Sequence, residues 1–452
     1  MSESRTFPAY GVQRALAERG ETDEDGWLTG HPLTNVWNLL KVEGPVDVGR
    51  LREAVAAATV GVDALHCRVR KGESGPLCQV DAFPRGWELE VQEHPGMELE
   101  SLLPRDVPWL RELLLGKGDP RNGPLGRVGL VGDGERHLLA IAVDHSVTDG
   151  WSLGILLQRI TRAYRSGPSA VSEGRTVSLE ECVRALPDEA ERERRVLTWR
   201  HMLSRLPDTA PPLLFPGSSP KPAGEWVVDT YDEWLLPDGL MDEVATAADR
   251  IGVNRSDLIV SAMNLAGSLW SSDYQPAISQ RHGRHRREDV LVVGPLAEPV
   301  LLLPPEPGTD TGSVQGWIAG HVRANAGFPS LAGRYFREVG SSGEHNVSIN
   351  VVPPSRPLRF GPRTLAVPAN GDFLRPLQED EEGPLRPPIC PLWVTFYIDR
   401  KDTFTVRIDR DTAVVPDPRP PVDTFVAVVH AAARPETVPL AQVRPREVRA
   451  GD

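Results

Sequence analysis

His137-Leu138-Leu139-Ala140-Ile141-Ala142-Val143-Asp144-His145-Ser146-Val147-Thr148-Asp149-Gly150 carries the strongest structural signal in this 452-residue chain. Its first part is a short apolar run, the pattern of a strand buried in a sheet. In the residues that follow, Leu153, Leu156, Leu157, Ile160 and Tyr164 fall on one helical face, and Gly167-Pro168 ends that helix. A histidine, a carboxylate four residues later and a glycine are thus held between a buried strand and a helix. Such a junction suits a reactive imidazole on a rigid scaffold. Upstream, Val128 and Leu130 are separated from the run by Gly132-Asp133-Gly134-Glu135, which predicts a β-hairpin.

On the N-terminal side, residues 1–30 are polar and Gly-rich and read as a lead-in. Asn35 to Val42 reads as a strand, Val48, Leu51, Val55 and Ala58 as a helix face, and Ala64 to Val69 as a second strand. Weaker signals predict a strand over Trp87 to Val91 and a helix over Trp109 to Leu115. On the C-terminal side, residues 179–204 are charged and helical, and 211–222 form a Pro/Ser-rich connector. Leu240, Val244, Ala247 and Ile251 mark a helix, and Asn254 caps another that runs to Trp270. Residues 271–288 read as a polar loop, Val290 to Val293 as a strand and Val314 to Ala324 as a helix. Three late strands (Asn346 to Val352, Leu392 to Ile398, Phe404 to Ile408) precede a final helix, Val422 to Ala433. Each half contains strands with helices between them, so two α/β lobes are expected, residues 1–174 and 175–452.

Length supports two lobes, since 452 residues exceed one ordinary core. A net charge of −13 argues against nucleic acid as a partner. The apolar runs are too short to cross a bilayer, so no membrane partner is expected. Met1-Ser2-Glu3-Ser4-Arg5 lacks the basic and apolar regions of a secretory signal. Four cysteines (Cys67, Cys78, Cys182, Cys390) show no metal or redox spacing and read as reduced thiols, so a cytoplasmic location is expected.

His145 is the candidate catalytic residue. A neutral imidazole can take a proton from an amine or hydroxyl as it attacks a carbonyl. The plainer alternative is a loop histidine satisfying hydrogen bonds. Asp149 reads as structural, at the entry to a helix where a carboxylate is favourable, with orientation of His145 as its alternative. Gly150 permits a positive φ or close approach of a substrate, or is a plain turn glycine. A metal site on His145 and Asp149 lacks a third ligand, so no metal is expected. No nucleophile elbow, phosphate-binding loop or dinucleotide-binding pattern is present. The basic run Arg281-His282-Gly283-Arg284-His285-Arg286-Arg287 reads as a solvated loop more readily than as an anion contact.

The hairpin followed by DHSVTDGWSLGILL (Asp144 to Leu157) resembles the condensation domains of nonribosomal peptide synthetases, whose motif is HHxxxDG, commonly continued as WS. More weakly, residues 35–69 resemble the family's first strand, helix and second strand. Trp199 is similar to an aromatic before the lobe connector, Asp289 to Gly294 to the family's D-V-V-V-G strand, and Phe328-Pro329 to its later P-F element. The resemblance implies two chloramphenicol-acetyltransferase-like lobes in a V-shaped pseudo-dimer with a tunnel between them. It implies that His145 positions or deprotonates the nucleophile, and that Asp144, Asp149, Gly150 and Trp151 support the motif. It implies no bound cofactor: the acyl group arrives on the phosphopantetheine arm of an acyl or peptidyl carrier protein, or on coenzyme A.

Two departures stand out. The first motif histidine is Asp144. The family's R-H-x-x-L-R-T segment reads Gly61-Val62-Asp63-Ala64-Leu65-His66-Cys67, so the arginine expected to hold the motif aspartate is missing there, with Arg68 or Arg70 as substitutes. No carrier motif is seen, which implies a free-standing domain served by carrier proteins in trans. The expected activity is an acyltransferase joining a carrier-bound acyl group to a small-molecule amine, forming an amide in natural-product biosynthesis. Ester formation on an alcohol, a cyclisation or dehydration in the same tunnel, and a degenerate domain that only recruits a carrier protein are the alternatives.

Overall fold

The computed structural model describes residues 5–30, 35–73, 75–80, 85–94, 107–116, 118–132, 136–171, 178–186, 188–206, 217–219, 221, 225–271, 274–282, 284, 286–306, 308–326, 345–352, 357–369, 390–398 and 404–443. Phe328-Pro329 and most of the 211–222 connector lie outside the described residues.

The first elements are β1 (Arg5–Pro8), α1 (Gly11–Arg19), β2 (Glu21–Thr22), β3 (Leu28–Gly30), β4 (Val36–Glu43), α2 (Val48–Val60), β5 (Cys67–Arg70), β6 (Leu77–Val80) and β7 (Leu89–Glu93). Then come α3 (Pro108–Leu115), β8 (Gly126–Gly132), β9 (His137–Val143), α4 (Gly150–Ser166), α5 (Leu179–Arg184) and α6 (Glu189–Leu203). The later elements are β10 (Thr230–Leu235), α7 (Leu240–Ile251), α8 (Arg255–Ser271), β11 (Ala277–His282), β12 (Ala297–Leu301), α9 (Val314–Ala326) and β13 (Val347–Val352). The last are β14 (Leu358–Arg359), β15 (Leu365–Pro368), β16 (Leu392–Ile398), β17 (Phe404–Arg410) and α10 (Arg419–Ala433).

These elements form two lobes, each centred on a six-stranded sheet with helices packed on it, and the first lobe also carries the small sheets β1-β6-β5 and β2-β3. The first sheet runs β14-β15-β4-β9-β8-β7, and the second β10-β17-β16-β13-β11-β12. All seven residues of β9 are buried, because both faces of its sheet are covered. Leu139, Ile141 and Val143 face the core shared with α2 and α4, while Leu138, Ala140 and Ala142 face α3. The period-2 alternation of a strand thus accounts for an unbroken apolar run. In the second lobe α7, α8, α9 and α10 share one core with the sheet. α6 sets Val196, Trp199 and Leu203 against Ile278 on β11 and Val300 and Leu301 on β12.

The structure differs from the sequence reading in several places. Of the stretch read as a lead-in, residues 5–30 are part of the fold: β1 pairs with β6, and Phe7, Tyr10, Leu16 and Ala17 are buried in the first core. Ala64 belongs to a 3-10 turn, Asp63–His66, and the strand starts at Cys67. Within the supposed polar loop lies β11, whose buried Ala277 and Ile278 are too few to show as a period. The apolar run Val290 to Val293 is not a strand. It contains the end of a 3-10 turn, Arg287–Leu291, and Val292 and Val293 then insert into the first core. The strand of that region is β12. Residues beyond 174 also build the first lobe. β15 pairs with β4, and Leu179, Cys182, Val183, Leu296, Phe360 and Ala366 lie in its core.

Candidate active site

His145 stands on the loop between β9 and α4, and from Asp144 to Asp149 it alone is not buried. The loop is pinned beneath it. Asp144 donates its N–H to the Leu125 carbonyl at 2.8 Å, and its carboxylate accepts the Ser146 N–H at 2.7 Å. Asp144 therefore shapes the turn from a buried position. The His145 Nδ1 lies 3.0 Å from the Thr148 carbonyl oxygen. A carbonyl only accepts, so Nδ1 carries the proton and Nε2 is the basic nitrogen of the neutral ring.

Asp149 is the N-cap of α4, accepting the Ser152 N–H at 2.8 Å. Its carboxylate also receives Arg284 Nη1 at 2.9 Å, Arg284 Nη2 at 3.1 Å and the Leu296 N–H at 3.1 Å. Four hydrogen bonds match the lone-pair sites of two carboxylate oxygens. The arginine that holds Asp149 is thus Arg284, 4 % exposed, and not Arg68, which sits on β5 with Gln79 as its register partner. The reading of the basic run as a solvated loop fails at this residue. A charge run hides one buried member, because burial depends on a carboxylate 135 positions away.

Segment 61–67 serves a different contact. The Asp63 carboxylate accepts the N–H groups of Leu179 and Glu180, both at 3.0 Å, at the start of α5. Gly150 has no positive φ, and a Cβ there would meet nothing within 4 Å. It is exposed, one residue beyond the cap. Trp151, 48 % exposed, donates its indole N–H to the Val290 carbonyl at 2.9 Å.

Ser152 is a site residue to which the sequence alone assigns no role. Its hydroxyl donates to the Gly294 carbonyl at 2.8 Å and accepts the Gly294 N–H at 2.9 Å and Arg284 Nη2 at 2.7 Å. Only glycine fits opposite it without displacing a neighbour, since a Cβ at Gly294 would come within 2.9 Å of Leu179 Cδ1. The connection from β11 to β12 is therefore clamped onto the start of α4. Arg286 pairs with Asp289 beside Cys182, whose thiol is pushed up to about 12 by burial and by that carboxylate. All four cysteines are buried thiols that form no disulfide.

Fold and site together define a two-lobed α/β protein of the chloramphenicol-acetyltransferase-like kind, with one histidine held at the strand-to-helix junction of its first lobe. The description "Condensation domain" fits residues 30–294, more than half of the chain, and the chain belongs to that family. It is 29 % identical over 172 residues to chondramide synthase cmdD of Chondromyces crocatus, covering 36 % of this chain and 4 % of that protein. It is 28 % identical over 126 residues to surfactin synthase subunit 1 of Bacillus subtilis (strain 168), covering 27 % of this chain and 3 % of that protein. The chain thus spans a small fraction of the length of these curated relatives.

Among solved structures, the first condensation domain of the calcium-dependent antibiotic synthetase, in complex with a substrate analogue, superposes with a TM-score of 0.70 at 17 % identity, over 97 % of this chain and 98 % of the other. The SgcC5 protein from Streptomyces globisporus superposes with a TM-score of 0.67 at 16 % identity, over 96 % and 100 %. An epimerization domain from tyrocidine synthetase shares the fold, with a TM-score of 0.69 at 16 % identity, over 95 % and 98 %. No helix among the described residues is long and apolar enough to cross a membrane.

Proposed function

We propose that this chain is an acyltransferase that joins a thioester-bound acyl group to an amine, with His145 as the base. The observation that carries the proposal is the Thr148 carbonyl on Nδ1, which leaves Nε2 with a free lone pair on the partly exposed side of a pinned loop. The amine nitrogen attacks the thioester carbonyl, Nε2 takes the amine proton, the C–N bond forms and the C–S bond breaks. The proton then passes to the departing thiolate. The acyl group would arrive on the phosphopantetheine arm of a carrier protein acting in trans, or on coenzyme A, and no resident cofactor takes part. Asp144 and Asp149 hold the loop and do not react.

Family membership supports acyl transfer, but the same fold serves an epimerization domain, so the chemistry rests on the site. The test is intact-mass detection of product from acyl-loaded carrier proteins or acyl-coenzyme A with a panel of amines and alcohols. Amide formation by the native chain, reduced by about 10²- to 10⁴-fold in His145→Ala, is the expected result. Product only with alcohols would make it an ester synthase. Full turnover by His145→Ala would remove the base role. Carrier binding with no transfer by the native chain would make it a recruiting domain.

A further inference from the structure

The clamp around Asp149 grips the β11–β12 connection near both of its ends, and a second contact lies just beyond it. Tyr10, the N-cap residue of α1, is 1 % exposed and donates its phenol O–H to Glu298 Oε1 at 2.8 Å. Tyr10 belongs to the first lobe. β1 immediately before it pairs with β6, and the Tyr10 N–H bonds to Gln13 Oε1, on a side chain buried against Cys67 and Cys78. Glu298 belongs to the second lobe, on β12, opposite Arg281 of β11. Two residues before it, the Leu296 N–H is shared between the Asp149 carboxylate at 3.1 Å and the Gly294 carbonyl at 2.9 Å.

The β-strand carries the consequence. The ladder to β11 fixes the register of β12 within the second lobe, and the Tyr10 hydrogen bond ties that strand, at Glu298, to the first lobe. Leu296 and Gly294 lie two and four residues before Glu298, so a tie at Glu298 limits how far they can move from Asp149 and Ser152. Burial, and then the Glu298 carboxylate, push the Tyr10 phenol well above its usual range, so it remains a donor at neutral pH.

We propose that Tyr10 is a positioning residue: its hydrogen bond to Glu298 holds the second lobe's β11–β12 connection at the distance at which Gly294 and Leu296 engage Ser152 and Asp149. The active-site loop is thereby set from the far end of the chain. The functional side of this inference rests on the acyl-transfer role of His145; the structural side does not. A base misplaced by about 1 Å loses up to about 10²-fold in rate, so the effect belongs in kcat.

The experiment is hydrogen–deuterium exchange on the full chain, read at the amides of Gly294 and Leu296, for the native protein, Tyr10→Phe, Glu298→Gln and His145→Ala. Phenylalanine keeps the ring and removes the donor, whereas the glutamine carbonyl still accepts from Tyr10. Exchange at Gly294 and Leu296 should rise at least about tenfold in Tyr10→Phe, with β8 and β9 amides unchanged. Glu298→Gln and His145→Ala should match the native protein. Unchanged exchange at Gly294 and Leu296 in Tyr10→Phe would overturn the proposal. Uniformly faster exchange across the first lobe would also overturn it, since Tyr10 would then be serving general stability. Turnover is measured alongside with octanoyl-coenzyme A and the amine panel, and kcat should fall with KM little changed. An inactive native protein would count against the acyl-transfer reading while leaving the exchange result to stand.

Discussion

Arg284 and Asp149 are the side chains whose loss should be felt most. Both are almost fully buried, and the pair is bidentate. Removing one partner leaves a charge buried without its counter-ion, which costs about 3–5 kcal/mol. Arg284→Met should therefore lower stability by about that amount in urea unfolding. Arg284→Lys should recover little, because one ammonium cannot serve Asp149, Ser152 and Val292 in the geometry of the guanidinium. Gly150 makes the opposite case. Its φ is ordinary and the space around it is open, so Gly150→Ala should leave stability unchanged or raise it by about 0.4–1 kcal/mol. If the nucleophile reaches His145 past this residue, turnover will fall while the unfolding midpoint does not. Equal turnover would place the route elsewhere.

Among the elements, the junction of β9 and α4 is legible from a few neighbouring residues. The strand is apolar on both faces, the helix has one apolar face, and the cap is an aspartate. Asn254 is likewise readable as a cap, and its Oδ1 accepts the Asp257 N–H at 2.8 Å. The β11–β12 connection defeats such a reading, because its apolar residues divide between a 3-10 turn and another lobe's core and so share no single period. Ser152 ties this connection to α4 by accepting from and donating to Gly294, a buried residue. Ser152→Ala would leave that backbone short of partners at a cost of about 1–3 kcal/mol, measurable by thermal denaturation.

Taken as one molecule, the chain crosses between its lobes more than once. β14 and β15 extend the first sheet although most of the chain around them builds the second. A fragment of residues 1–174 should therefore not fold alone. It would lack β15 against β4 and the buried Leu179, Val183, Val292, Leu296 and Ala366 of its own core. Circular dichroism and gel filtration should show a poorly structured, aggregating species. The second lobe also holds a pH-dependent element. His321 is buried against Ser261, Tyr274 and Trp317, and burial lowers it from 6.5 to about 3. Between those values the unfolded chain binds a proton that the folded chain does not. Stability is thus full above about pH 6.5 and falls as pH drops, by up to about 1.4 kcal/mol per unit. Urea midpoints from pH 7 to 4 should show that slope, and His321→Asn should flatten it.

The amino-acid order was sufficient for the two-lobe α/β class, most helices, fewer than half of the described strands, and His145 at a strand-to-helix junction. These features depend on periodicity and capping within about 20 residues, where chain proximity guarantees the contact. It could not reveal that Arg284 holds Asp149, that Ser152 holds Gly294, that Tyr10 meets Glu298, or that β15 completes the first sheet. Those contacts join residues 135, 142, 288 and more than 300 positions apart. No local pattern records such pairings, because each exists only after segments distant in the chain have come together and excluded water from the space between its partners.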